Sequence, residues 1–150
     1  MIDRLVQLFK TQEDAKTLSK HDKQLAAAAL LVEAAVMDGN FDDDERTVVL
    51  DLLKGRFELS GEDALALTQQ AETTVAESKE LYTITRTVKD AFDHEERVEM
   101  IEMLWTVSLA DGVIHDYEAN LVRRVSGLLY VSDRESGEAR KRAMASVDAK

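Results

Sequence analysis

The chain has 150 residues, with 30 acidic against 19 basic side chains, a net charge of −11, no cysteine and no proline. That length buries enough surface for one core. The lack of Cys excludes disulfide scaffolds, zinc fingers, iron–sulfur sites and thiol nucleophiles. The excess of acid argues against nucleic acid or an anionic membrane as the main partner, and leaves cations, a basic partner or plain solubility.

The charge is unevenly spread. Residues 1–24 and 133–150 each carry five bases and four acids, whereas residues 25–132 carry nine bases and 22 acids, a net −13. No stretch approaches the ~20 apolar residues of a membrane span. The N-terminus lacks the pattern of a signal peptide. Met1, Ile2, Leu5, Val6, Leu8 and Phe9 space out as a short amphipathic helix. Docking on its own domain is the expected role, with peripheral membrane contact as the alternative.

Apolar residues then recur at helical spacing almost throughout. Residues 25–37 are Ala-rich and interrupted only by Glu33, so this helix is expected to be buried on most sides. Val48, Val49, Leu52, Leu53 and Phe57 make one face of the next helix. Ser60 with Asp63 forms a capping pair for a third, running to about residue 78. Leu81, Ile84, Val88 and Phe92 define a fourth. Its Thr-rich part alternates like a strand, but a lone strand has no partner, so a helix is expected.

The pattern then restarts. Val98, Ile101, Leu104, Trp105 and Val107 mark a helix ending at Ala110-Asp111-Gly112. Leu121, Val122, Val125, Leu128 and Leu129 face inward on the next, and Ser132 with Glu135 caps a last helix. Asp38-Gly39 and Asp111-Gly112 stand 73 residues apart. At that offset Phe41 matches Ile114, Asp43 matches Asp116, Glu45 matches Glu118 and Val49 matches Val122. The expected architecture is one all-α domain over 1–150, a compact bundle with an internal two-fold repeat. Three-helix units at about 25–78 and 97–147 share a core, joined by a helix at about 80–92, with residues 1–20 as docking helix and linker.

Each repeat carries Asp-Gly-x-(Phe/Ile)-x-x-x-Glu, which resembles the second half of a calcium EF-hand loop. The first half is missing, because Ala34, Val36, Val107 and Leu109 stand where ligands should be. Two readings of the turns remain open. Gly39 and Gly112 suit helix ends that need positive φ, Asp38 and Asp111 suit Asx turns, and Asp42 with Glu45 suits a capping box. His115 is a poor acceptor at the matching cap position, so capping accounts for Glu45 better than for Glu118. The other reading is a cation. An Asp in the last turn of a helix meets the negative end of its dipole at a cost of about 0.3–1 kcal/mol. Asp38 and Asp111, each with its downstream Glu45 or Glu118, would offset that by holding a hard cation such as Ca²⁺ or Mg²⁺, with Asp42, Asp44 and Asp116 as further oxygen donors.

The two turns, the Leu-Tyr-Thr-Ile-Thr stretch at 81–85 and Glu102-Met103-Leu104-Trp105 resemble the TerB-like tellurite-resistance family, over roughly residues 20–145. They also resemble the N-terminal domain of DjlA-type co-chaperones. The resemblance implies a compact all-α domain of about seven helices in the bacterial cytoplasm, with an acidic metal-binding or scaffolding role and no catalytic activity. The chain has no J-domain His-Pro-Asp, so co-chaperone activity does not carry over.

Enzyme signatures are missing. The residues three before His21, His94 and His115 are Leu18, Ala91 and Gly112, so no Glu-x-x-His di-metal pair exists. No zincin motif, nucleophile elbow, Walker loop or dinucleotide fingerprint is present. The three histidines are expected to be isolated surface groups and Trp105 a core residue. The acids of 90–102 are expected to form a solvated helix face or to receive a basic partner. Arg140-Lys141-Arg142 would suit a helix C-terminus or a tail contact. Two functions follow: a cytoplasmic, non-enzymatic protein that couples a divalent cation to a protein partner with a basic surface, or a metal-free interaction module.

Overall fold

The structure, a computed structural model, describes residues 20–37, 42–78, 81–110 and 114–148. Among these are seven helices and no strand: α1 (Lys20–Met37), α2 (Asp43–Phe57), α3 (Gly61–Ser78), α4 (Leu81–Ala91), α5 (His94–Ser108), α6 (Asp116–Leu128) and α7 (Asp133–Asp148). The expected docking helix at the N-terminus lies outside the described residues. The Thr-rich stretch is helical, with Ile84 and Val88 wholly buried and the Thr87 hydroxyl donating back to the Thr83 carbonyl at 3.0 Å.

Two helices form the centre. Leu25 through Val32, with Ala34 and Ala35, are all buried, and α1 packs against α2, α3, α4 and α5. Its alanines let neighbours approach on every side, which a one-faced amphipathic helix does not allow. α5 buries Met100, Ile101, Met103, Leu104, Trp105 and Val107 and packs against α1, α2, α6 and α7. One continuous apolar cluster joins all seven helices.

Local chemistry sets the boundaries. Asp93 caps α5 by accepting the Glu96 N–H at 2.8 Å while the Glu96 carboxylate accepts the Asp93 N–H at 3.0 Å, a complete capping box. Ser60 accepts the Asp63 N–H at 3.1 Å. Ser132 and Glu135 cap each other reciprocally at the start of α7. At their C-terminal ends α2 and α6 turn through residues with positive φ, Glu58 at 54° and Tyr130 at 57°. The next N–H in each case reaches back to close the end, Leu59 to the Lys54 carbonyl at 3.0 Å and Val131 to the Ser126 carbonyl at 2.8 Å. No glycine stands at either position.

α1 and α5 lie side by side and run in the same direction. Near their starts, the Lys23 ammonium is 3.3 Å from a Glu96 oxygen. Near their ends, Ala34 and Ala35 share a cleft with Leu104, Val107 and Ser108. The chain therefore leaves both central helices at the same end of the bundle.

Candidate functional site

From that common end the chain enters the two acidic turns, whose described parts are residues 42–45 and 114–118. After α1, Asp42 takes the N-cap of α2 with φ −80° and ψ 176°, and its carboxylate accepts the Glu45 N–H at 2.8 Å. Asp43, Asp44 and Glu45 follow in the first turn of α2, where anions are favoured by the positive end of the helix dipole. Asp42 and Asp44 are exposed and Glu45 is partly so.

After α5, His115 takes the N-cap of α6, and the Glu118 Oε1 accepts the His115 N–H at 3.0 Å. This corrects the expectation that capping explains Glu45 better than Glu118. The carboxylate half of a capping box needs only the backbone of the N-cap residue, so a histidine there does not prevent it. Glu118 is just 7% exposed. It lines a cleft of about 10 Å³ with Ala34 and Ala35 of α1 and Val107 and Ser108 of α5, on the order of one water in size. The backbone donor and the helix N-terminus offset the cost of burying its charge. Asp116 is exposed, and Tyr117, also exposed, stacks on the His115 ring with centroids 5.7 Å apart.

Asp38 and Asp111 lie outside the described residues, as do Gly39, Phe41 and Gly112. Ile114 is described and packs against the core. Among the described residues no group of three or more His, Cys, Asp or Glu is placed to hold a metal ion. At this pole the described carboxylates of Asp42 and Glu118 supply helix caps.

A family model for "Tellurite resistance protein TerB" matches residues 24–141, from the first turns of α1 into α7 and across both acidic turns. The chain belongs to the TerB family. Comparisons with curated proteins and with solved structures gave no match.

Elsewhere in this TerB domain the acids serve the fold. Within residues 90–102 Asp93, Glu95 and Glu99 are exposed, as expected of a solvated face, but three of the acids also pair with other helices. Glu96 meets Lys23 of α1, Glu99 meets Arg56 of α2, and Glu102 meets Arg142 of α7. Each such partly exposed pair contributes at most about 1 kcal/mol. Together they offset three of the six acids in that run. The basic triplet of α7 is likewise not at a helix end, since the last turn of α7 has no base. Arg142 pairs with Glu102, and the Arg140 guanidinium lies 5.0 Å from the centre of the Trp105 ring. Trp105 is a core residue, as expected. It is 5% exposed, and its indole N–H donates to the Ser136 carbonyl and hydroxyl, each at 3.1 Å.

His94 is not isolated, because its Nε2 lies 2.5 Å from a Glu135 oxygen. The Ser132 N–H, with further help from His94, holds the Glu135 carboxyl at about 2, well below its ordinary value. Ser132, Glu135 and His94 thus meet at one place. The carboxylate, not the imidazole, stands beside the hydroxyl, so the cluster is a helix cap and lacks the hydroxyl–imidazole contact of a triad. Glu33 gave no sequence signal except its place in an apolar run. It is 6% exposed in the middle of α1, and burial pushes its carboxyl above the ordinary value.

Proposed function

We propose that this TerB-family chain is a non-enzymatic cytoplasmic module whose two acidic turns take up a divalent cation, Ca²⁺ or Mg²⁺, and present it to a protein partner with a basic surface. One observation carries the reading: α1 and α5 run parallel, so the turns bearing Asp38 and Asp111 leave from one end of the bundle. That end also collects Glu45, Glu118, Asp42, Asp44 and Asp116, and the negative C-terminal ends of two long helices. The donors are carboxylates and main-chain carbonyls, the hard oxygen set that suits Ca²⁺ and Mg²⁺. Asp38 and Asp111 with Glu45 and Glu118 would hold the ion. When bound it supplies positive charge that relieves the repulsion among these acids. The residues themselves set where it sits: Asp42 and Glu118 fix the starts of α2 and α6 through their caps, which keeps the first-turn acids of both helices at the pole.

A metal-free interaction module is the second reading, favoured by Glu118 already holding a backbone N–H and by the exposed Tyr117 stacked on His115 beside it. Calorimetric titration of Ca²⁺ and Mg²⁺ into chelator-treated protein separates the two, with an Asp38→Asn/Asp111→Asn double variant alongside. The cation reading expects saturable heat in the parent and none in the variant. Absence of binding, or binding unchanged by the double substitution, refutes it in favour of the second.

A further inference from the structure

α1 and α3 start at the same end of the bundle, opposite the acidic turns. Lys23 of α1 meets Glu96 in the first turn of α5, and Arg56 at the end of α2 meets Glu99 one turn later. Ser60 then opens α3 by accepting the Asp63 N–H, and farther along α3 Glu72 returns to Arg46, near the start of α2, at 2.8 Å. α3 therefore runs in the same direction as α1, and their packing is the most extensive between any two described helices. The outer face of α3 is unlike the rest of the surface. Every exposed residue between Asp63 and Glu77 is uncharged: Leu65, Ala66, Gln69, Thr73 and Ala76. By contrast α2 exposes Asp51 and Lys54, and α6 exposes Arg123 and Arg124. Leu65, 41% exposed, stands early in α3, bordered by the exposed Glu62 and Asp63.

The sequence that precedes Lys20 has the complementary pattern. Ile2, Leu5, Val6 and Phe9 recur at the spacing of one helix face. Arg4 and Lys10 outweigh Asp3, so residues 1–10 carry a net +1 toward the acids that border Leu65. The lengths agree, about 16 Å along α3 from residue 65 to 76 and about 15 Å for a ten-residue helix. Residues 11–19 reach up to about 30 Å, ample to pass from the start of α1 around a neighbouring helix whose axis is about 10 Å away. Such a tether supplies an effective concentration near millimolar, enough to fill a contact too weak for a separate partner. The other exposed large apolar side chain at that end is Tyr130, next to the Leu129 carbonyl that accepts from Arg97 of α5 at 2.9 Å. Lys89 already lies over its ring, and the cations there repel Arg4 and Lys10. We propose that residues 1–10 dock as an amphipathic helix on the outer face of α3, with their apolar side against Leu65, Ala66, Gln69 and Thr73. The contact lies at the opposite end from the acidic turns and does not rest on cation uptake there.

The chain has no cysteine, so Gln7→Cys accepts a single nitroxide label, on the side of the segment away from Ile2, Leu5 and Phe9. The test is paramagnetic broadening in ¹H–¹⁵N correlation spectra of the whole labelled chain, against the same sample with the label reduced. Broadening centred on residues 62–73, with a strength independent of protein concentration, is expected. It should vanish in Leu5→Asp/Phe9→Asp. It should vanish equally in Leu65→Asp, which changes an exposed side chain outside the core cluster and so leaves the fold in place. The inference is overturned if broadening is absent or centred elsewhere, or if it survives both variants. It is also overturned if ¹⁵N chains without label are broadened when mixed with labelled, unenriched chains, which makes the occupant of the face a second copy.

Discussion

Glu118 caps α6 and, in the proposed function, also ligates the cation; replacing it with Gln and then Ala tells these two roles apart. Gln keeps an oxygen where Oε1 accepts the His115 N–H at 3.0 Å but removes the charge. A hydrogen bond to a charged group contributes about 1.5–3 kcal/mol and a neutral one about 0.5–1.5. The interaction with the helix N-terminus adds about 0.3–1 kcal/mol. Against this, a neutral amide at a position only 7% exposed costs less to bury than a carboxylate. The net expectation for Glu118→Gln without cation is a loss of about 1 kcal/mol. Ala removes the acceptor and leaves a void beside Ala34 and Val107, for about 2–3 kcal/mol in all. Urea unfolding in chelator reads these losses directly, and in a chain of this size each kcal/mol lowers Tm by about 2–4 °C. Adding Ca²⁺ then reports the second task. Tm should climb with concentration in the parent by mass action and stay fixed in Glu118→Gln. If both variants match the parent in chelator, the capping role is wrong. A calcium-dependent rise that survives in Glu118→Gln removes this residue from the ligand set.

Three further expectations rest on single residues. Glu33 is held protonatable above the ordinary carboxyl range by burial, so the folded state binds its proton more tightly than the unfolded state, and its charge destabilises the fold at neutral pH. Glu33→Gln should raise the urea midpoint at pH 7, with the advantage shrinking as pH falls through the raised value. Glu135 has the opposite sign: its folded carboxyl titrates at about 2. The stability it contributes is present above the ordinary carboxyl value and is lost as pH falls from about 4.5 to 2, a loss that Glu135→Gln should abolish in acid denaturation curves. Glu58 holds φ at 54°, a conformation costing an L-residue about 1–2 kcal/mol. Glu58→Gly, after allowing for the greater freedom of glycine in the unfolded chain, should gain about 0.5–1 kcal/mol in chemical unfolding, whereas Glu58→Val should lose stability.

The helices were legible because their signals are local. Apolar spacing places five of the seven, and Ser60 with Asp63 and Ser132 with Glu135 mark the other two by their starts, with the hydrogen bonds the structure contains. Asp93-x-x-Glu96 carries the same signature and could have been read as the start of α5. The ends of α2 and α6 were not legible at all, since Glu58 and Tyr130 do what glycine usually does. What failed is non-local. The acids of α5 look unpaired in a linear reading because Lys23, Arg56 and Arg142 come from three other helices. His94 finds Glu135 41 residues away. The alignment of α1 with α5, which brings the C-terminal ends of both helices to one pole, is a property of packing that periodicity does not encode.

The central claim is that both acidic turns act from one pole on one class of ligand. A Ca²⁺ titration of chelator-treated protein, followed residue by residue in ¹H–¹⁵N correlation spectra, tests it most directly. The account predicts saturable shifts at the starts of both α2 and α6, around residues 42–45 and 115–118, following a single binding curve. Shifts confined to one turn, shifts centred elsewhere, or no saturation at millimolar Ca²⁺ would contradict it.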